Sequence, residues 1–274
     1  MDAATIEGRI HEAIDRLTAA EKRAARGLLA NYPTIGLAPV AEFAGQSGAS
    51  AATVLRFIAQ LGFKSYPDFQ RALREELDER AKAPLQRSAP PAGKGEANFL
   101  DHFVAQAAAN LAATAHRIPT SEFEAACARL AEGKGACHIM GGRFTDAMAL
   151  YMEAHLRIIR PGVRRLDGRA ASRADQLLDV RAGDTAVIFD IRRYDPHLLE
   201  TAERLAALRA HIILFTDEWI SPVSRVAKTV IPCRTDMHRT WDANTALFAL
   251  VEAVIARTTE IGWPMASKRM GAIE

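Results

Sequence analysis

The sequence predicts two domains of different class: an all-α N-terminal domain, then an α/β domain with a five-stranded parallel sheet flanked by helices. Three observations predict it. Everything before position 81 reads helical. The stretch Ala81–Gly95, A-K-A-P-L-Q-R-S-A-P-P-A-G-K-G, carries three prolines and two glycines without apolar periodicity, as an interdomain linker does. Beyond it, short apolar runs alternate with helical stretches, the pattern of βαβ units. The expected division is 1–80, a linker at 81–95, and 96–274.

In the first domain Thr18-Ala-Ala-Glu21 is a capping box opening a helix to about Asn31. Pro39 suits the first turn of a short helix through Val40, Phe43 and Ala44. Ser47-Gly48-Ala49 reads as a turn, and Ser50 as the cap of the next helix. On that helix Val54, Phe57, Ile58 and Leu61 share one face at i, i+3, i+4, i+7, and Gly62 ends it. Ser65–Asp68 caps a further helix running to about Arg80. In the second domain Phe99, Phe103, Ala107 and Leu111 mark a helix, and Ser121 with Glu124 caps another. Strands are expected at Ala136–Met140, Val163–Leu166, Thr185–Phe189, Ile212–Thr216 and Thr229–Pro232. Helices are expected at Asp146–Ile159, Ala174–Val180, Pro196–Leu208 and Ala243–Glu260.

With 274 residues, 49% of them apolar, the chain can build two modest cores. No apolar run approaches the eighteen residues or so that span a membrane. Met1–Arg16 has an early Asp2 and no apolar core segment, so no signal peptide is expected. Three widely spaced cysteines (Cys127, Cys137, Cys233) and eight scattered histidines predict no disulfide framework, no metal site and no cofactor, in a reducing cytoplasm. Up to Ala83 there are 11 Lys/Arg and 11 Asp/Glu. A balance of this kind runs against nucleic-acid binding unless a local basic face and pairing of chains compensate.

The chemistry of the first domain lies around Ser47–Lys64. Two helices joined by a tight turn need a small residue where they cross, a turn residue tolerant of positive φ, and apolar residues beneath the second helix. Ala44, Gly48, Val54 and Phe57 fit that spacing. Ala52, Thr53, Arg56 and Gln60 then face outward, where such a helix can enter a major groove with Ser47, Ser50 and Lys64 near the DNA backbone. An ordinary helical hairpin has the same crossing needs, so spacing leaves both readings open. Small residues on the outer face, where Glu and Lys are usual, favour close approach to another surface.

V-A-E-F-A-G-Q-S-G-A-S-A-A-T-V-L-R-F-I-A-Q-L-G-F (Val40–Phe63), with S-Y-P-D-F (Ser65–Phe69) after it and L-T-A-A-E-K-R (Leu17–Arg23) before it, resembles the DNA-binding domain of the RpiR/MurR family of bacterial regulators. That family usually reads T-V-S-R-F where this chain has Leu55 in place of the serine. The order of strands and helices over about Phe99–Ile261, and I-I-L-F-T-D-E-W-I-S-P (Ile212–Pro222) with V-A-K-T-V-I-P (Val226–Pro232), resembles the SIS (sugar isomerase) domain, which in that family senses phosphosugars. The resemblance implies a homo-oligomeric regulator, at least a dimer, that binds a double-stranded DNA operator and a small-molecule effector.

The expected effector loops are Gly141, Gly142, Arg143, Phe144 and Thr145 after the first strand, and Asp190, Arg192, Arg193 and Tyr194 after the third, beside Trp219. A glycine-containing loop opening a helix offers N–H groups to an anion, although Asp146 could satisfy that helix end itself. Likewise Arg192 and Arg193 could simply pair with Asp190 and Asp195. The family's loops usually read G-x-G-x-S and S-x-S-G-x-T. Here Arg143 and Thr145 replace the second glycine and serine of the first, and Asp190, Arg192, Arg193 and Asp195 occupy the four positions of the second. Asp190 would repel a phosphate, whereas the arginines could hold a carboxylate bidentately. The expectation is a small anionic effector with a donor group, such as an amino acid or ureido acid, and not necessarily a phosphosugar. Glu153, His155, His197, His238 and Glu252 are the candidate general bases of an isomerase alternative. No Ser/His/Asp set, HExxH, CxxC or Walker loop accompanies them, so catalysis is not expected. A ligand-independent DNA-binding or interaction protein is the remaining alternative.

Overall fold

A computed structural model describes residues 5–30, 32–81, 98–132, 134–167, 170–237 and 239–273. Contacts divide the chain into two units, Met1–Ala83 and Pro84–Glu274. From position 82 on, the expected linker lies outside the described residues, as do Asn31 and His238.

The first unit is helical: α1 (Ile6–Ala13), α2 (Ala19–Ala30), α3 (Thr34–Leu37), α4 (Val40–Ser47), α5 (Ala51–Gln60) and α6 (Tyr66–Ala81). Local chemistry starts the helices where the sequence predicts. The Thr18 hydroxyl accepts from Glu21 N–H while the Glu21 carboxylate accepts from Thr18 N–H at 2.9 Å, a reciprocal capping box. Ser50 Oγ accepts from Thr53 N–H, and Ser65 Oγ from Asp68 N–H. Gly48 ends α4 at φ 62°, a left-handed conformation that a residue with a Cβ adopts only at a cost. Val54, Phe57, Ile58 and Leu61 are buried against Leu28, Phe43, Phe69 and Leu73. Each such side chain contributes about 1.5–3 kcal/mol when removed from water. The tightest crossing lies elsewhere than expected: a Cβ on Gly27 of α2 would sit 2.5 Å from Ser47 Cβ of α4.

The second unit runs α7 (Phe99–Arg117), α8 (Thr120–Ala131), β1 (Cys137–Gly141), α9 (Asp146–Ile159), β2 (Val163–Arg165), α10 (Ala170–Gln176), β3 (Thr185–Asp190), α11 (Pro196–Ala207), β4 (His211–Asp217), β5 (Thr229–Cys233), α12 (Thr245–Ile261) and α13 (Trp263–Met270). The five strands are parallel in the order β2-β1-β3-β4-β5. Successive side chains alternate between the sheet's faces. Ile139, Val187, Phe189, Phe215 and Ile231 pack with α8, α9 and α12. Met140, Ala186, Ile188, Ile212 and Leu214 pack with α11.

Three local expectations are corrected. Ser121 is not a cap: α8 begins at Thr120 behind Pro119, with no side-chain capping bond, and Glu124 instead accepts from Arg257 Nε at 3.1 Å. The helix expected at Ala174–Val180 begins four residues earlier and closes in a 3-10 turn, Leu177–Asp179. On α7 the buried side is Ala107, Asn110 and Thr114, while Phe99, Leu100, Val104 and Leu111 are exposed. Asn110 is drawn inward by its bond to Asp236 O at 2.8 Å.

From β1 the chain crosses to β2 on one side and then to β3 on the other, so its direction across the sheet reverses between β1 and β3. The crevice beyond the carboxyl ends of those two strands is where open α/β sheets bind ligands.

Candidate functional site

Two surfaces carry the candidate residues, one in each unit. On α5 the exposed residues are Ala52, Leu55, Arg56, Ala59 and Gln60. Ala52, Arg56 and Gln60 therefore face outward as expected. Thr53 does not: it is buried, and its hydroxyl lies 2.9 Å from Ser50 Oγ, turned back into the cap. Arg56 Nη2 reaches that hydroxyl at 3.4 Å while its side chain stays exposed. The Ser47 hydroxyl donates to Phe43 O at 2.8 Å, closing the last turn of α4. Lys64 is exposed just beyond the helix. Leu55 and Ala59 were not expected on this face. Their places at i+3 and i+7 from Ala52 could have revealed them.

At the sheet's carboxyl edge the loop after β1 folds onto itself. Gly142 N–H donates to Thr145 Oγ1 at 2.8 Å and to Phe189 O at 3.1 Å. Thr145 is buried and its hydroxyl donates to Phe189 O at 2.7 Å. Gly141 is required, because a Cβ there would meet the Thr145–Asp146 backbone at 2.6 Å. The helix end is less open than the sequence implies. Asp146 N–H donates to Gly142 O, and Met148 and Ala149 N–H donate to Thr145 O.

The loop after β3 separates its two arginines. Arg193, at φ 64°, is exposed and places its guanidinium 5.8 Å from the Phe144 ring. Arg143 lies 5.1 Å from the same ring, and Trp241 meets it edge-on at 5.9 Å. Arg192 is turned inward, with 4% of its side chain exposed. Its guanidinium lies 5.1 Å over the Trp219 ring and its Nε stands 3.8 Å from Asp242 Oδ2. Among the described residues no hydrogen-bond acceptor meets its Nε, Nη1 or Nη2. Trp219 Nε1 and Asn244 Oδ1, also buried, likewise meet no partner there.

Carboxylates surround this cation. Asp190 is buried, accepts from Asp195 N–H at 3.3 Å and receives a short hydrogen bond from Ser221 Oγ. Asp217, the last residue of β4, accepts from Arg192 N–H and Tyr194 O–H, each at 2.7 Å. Burial, then the adjacent Glu218 carboxylate, push its pKa up to about 7. Glu218 accepts from Thr235 N–H at 2.9 Å, tying the end of β4 to the segment after β5. Asp195 caps α11 through His197 N–H. The structure thus brings Gly142, Thr145, Asp190, Arg192, Tyr194 and Trp219 to one sheet edge, with Arg143, Phe144 and Arg193 at its rim. Asp217, Glu218, Ser221, Asp242 and Asn244 escaped the sequence reading. Asp217 and Glu218 carried a usable signal, two acids ending a buried strand.

Of the candidate general bases within the described residues, three are engaged elsewhere. Glu153 pairs with Arg157 at 2.8 Å. His155 Nδ1 lies 3.0 Å from Tyr151 O, and Tyr151 donates to Glu252 at 3.2 Å. His197 is exposed on α11. Among the described residues no His/Cys/Asp/Glu group has the arrangement to hold a metal ion, and no helix is long and apolar enough to cross a membrane.

The helical unit and the parallel sheet together have the architecture of a helix-turn-helix domain joined to a sugar-isomerase-type domain. Residues 4–80 match the helix-turn-helix domain of the rpiR family, and residues 133–257 match the SIS domain. The chain belongs to the RpiR family of transcriptional regulators. No curated protein matches it. Among solved structures, the sugar isomerase domain of an RpiR transcription factor from Sphaerobacter thermophilus is 19% identical, with a TM-score of 0.57 over 65% of this chain and 98% of that one. The Vibrio vulnificus NanR protein, complexed with ManNAc-6P, is 16% identical, with a TM-score of 0.53 over 98% of this chain and 96% of that one. The E. coli CFT073 protein c3406 is 16% identical, with a TM-score of 0.53 over 64% of this chain and 95% of that one. At these identities the likeness is one of fold.

Proposed function

We propose that this chain is an effector-responsive transcriptional regulator and not an isomerase. Ala52, Arg56 and Gln60 of α5 read base edges in the major groove of an operator, with Ser50 and Lys64 against its backbone, while Ser47, at the α2–α4 crossing, holds the turn before α5. Thr53 acts from beneath, holding Ser50 and Arg56. The chain works as at least a dimer, because paired half-sites one helical turn apart need two recognition helices and a charge-balanced domain binds weakly alone. The second unit takes a small anionic effector at the carboxyl ends of β1, β3 and β4. Placing this domain in the cytoplasm, between a linker at 81–95 and the chain's end, belongs to the same proposal.

The observation that carries the reading is the outer face of α5: two alanines, a leucine and a glutamine around one exposed arginine, over a fully packed inner face. The test is fluorescence anisotropy of the full chain on DNA from upstream of its own gene, at two salt concentrations. Arg56→Ala is expected to weaken operator binding by ~1–3 kcal/mol and to relax one base position. Lys64→Ala is expected to weaken all sequences alike and to lower the salt slope by about one. Unchanged operator affinity in Arg56→Ala removes Arg56 from the interface.

A further inference from the structure

We propose that the molecule bound at the strand ends of the second unit is a monoanionic carboxylate with a hydrogen-bond donor beside it, seated on Arg192 against Trp219, rather than a phosphate ester. The proposal rests on the effector-binding reading above and names its ligand class.

A guanidinium withdrawn from water needs acceptors in its plane, since a buried charge left without hydrogen bonds is costly. Arg192 is withdrawn, and among the described residues its three nitrogens find none. Asp242 Oδ2 at 3.8 Å offsets the charge but is too far for a hydrogen bond. The backbone N–H of Arg192 is fixed on Asp217 and the side chain lies over Trp219, so the fork is held in place before any ligand arrives. Planar, pre-positioned forks match carboxylates and phosphates bidentately.

Charge decides between the two. Asp190, Asp217 and Glu218 are buried around this edge and Asp242 is close behind them. Burial first and the adjacent Glu218 carboxylate second hold the Asp217 pKa up at about 7, so this edge disfavours charge that it cannot pair. A dianionic phosphate would add two charges facing one buried cation. A carboxylate adds one. In the loop after β1 two of the groups that would meet a phosphate, Gly142 N–H and the Thr145 hydroxyl, are already spent on each other and on Phe189 O. The remaining unmatched atoms ask for different partners. Trp219 Nε1, on the ring beneath Arg192, needs an acceptor, and Asn244 Oδ1, two residues along the chain from Asp242, needs a donor. A hydroxy, amino or ureido group beside the carboxylate supplies that donor.

The test uses the full chain and four probes: glycolate, N-carbamoylglycine, inorganic phosphate and glucose 6-phosphate. Thermal unfolding midpoints are followed against probe concentration for the wild type, Arg192→Met and Trp219→Phe. Trp219→Phe keeps the ring and deletes the N–H, which guards against an Arg192 variant that fails to fold. The expected result is a midpoint that rises with the logarithm of glycolate or N-carbamoylglycine concentration in the wild type. That rise is lost in Arg192→Met and shifted to several-fold higher concentration in Trp219→Phe. Phosphate and glucose 6-phosphate should affect all three proteins alike. A phosphate or glucose 6-phosphate effect that requires Arg192 overturns the carboxylate assignment, as does a panel in which no probe depends on Arg192 or Trp219. Operator binding by the wild type, measured in parallel, reports on the regulator reading by itself.

Discussion

Arg192 and Arg193 are neighbours in sequence and opposite in environment, and the difference comes from one backbone angle. Arg193 takes a left-handed φ of 64°, so the chain turns between them and only Arg192 enters the protein. Sequence spacing put both in one group because nothing in the letters R-R marks which one turns. Thr53 fails for a related reason. A helical wheel places it near Arg56, but its hydroxyl is claimed by the Ser50 cap three residues before it. Leu55 is the converse: it is 45% exposed on the face proposed to meet DNA. A branched apolar side chain there suits the methyl group of thymine, the one apolar feature of the major groove. Leu55→Ser should leave thermal stability within about 0.5 kcal/mol, as exposed substitutions do. It should also reduce selectivity at one A·T position of the operator. Selection of binding sites from a random DNA pool, repeated with the variant, reads this directly. An unchanged preferred sequence removes Leu55 from base readout.

At the scale of elements, most of the fold was legible because its signals are local. The capping box at Thr18–Glu21, the Ser65 cap, the Gly48 turn and the period-3.6 face of α5 all sit where physical chemistry needs them. The parallel strands were legible as apolar runs, each end within one residue of its place, and β1, β3 and β4 are buried along nearly their whole length. What was not legible depends on partners distant in sequence. Gly27 is needed only because α4 crosses it at Ser47, and the inward side of α7 is set by Asp236, 126 residues from Asn110. The α2 cap gives a prediction with a defined sign. Bonds from Thr18 hold the Glu21 carboxylate below its ordinary value of 4.5. A group depressed on folding adds stability above its unfolded pKa and loses it as pH falls through the folded one. Thr18→Ala should therefore destabilise the first unit by ~1 kcal/mol near neutrality. The deficit should shrink below pH 4.5 as Glu21 takes up a proton. Urea unfolding of the wild type and variant at pH 7 and pH 3.5 compares the two. A deficit that does not change with pH assigns the cap to the Thr18 hydroxyl alone.

At the scale of the whole molecule, a regulator needs its two units to exchange free energy, and the family's pairing of domains gives a site at each end of that exchange. Coupling between sites is reciprocal: if effector changes operator affinity by a factor, operator changes effector affinity by the same factor. Typical coupling of ~1–3 kcal/mol corresponds to roughly 5–150-fold. The sign, and so repression or activation, depends on which state the effector favours. Equality of the two factors does not. With the strongest-binding carboxylate of the probe panel, operator affinity measured at saturating ligand and without it gives one factor. Ligand affinity measured by calorimetry for free and operator-bound protein gives the other. Arg192→Met should bring both factors to one while leaving operator affinity without ligand unchanged, because Arg192 lies in the second unit and faces Trp219 and Asp242, not DNA. A ligand bound equally well by free and operator-bound protein would mean that the two units act independently, and the effector-responsive part of the proposed function would fall while DNA recognition by α5 stood.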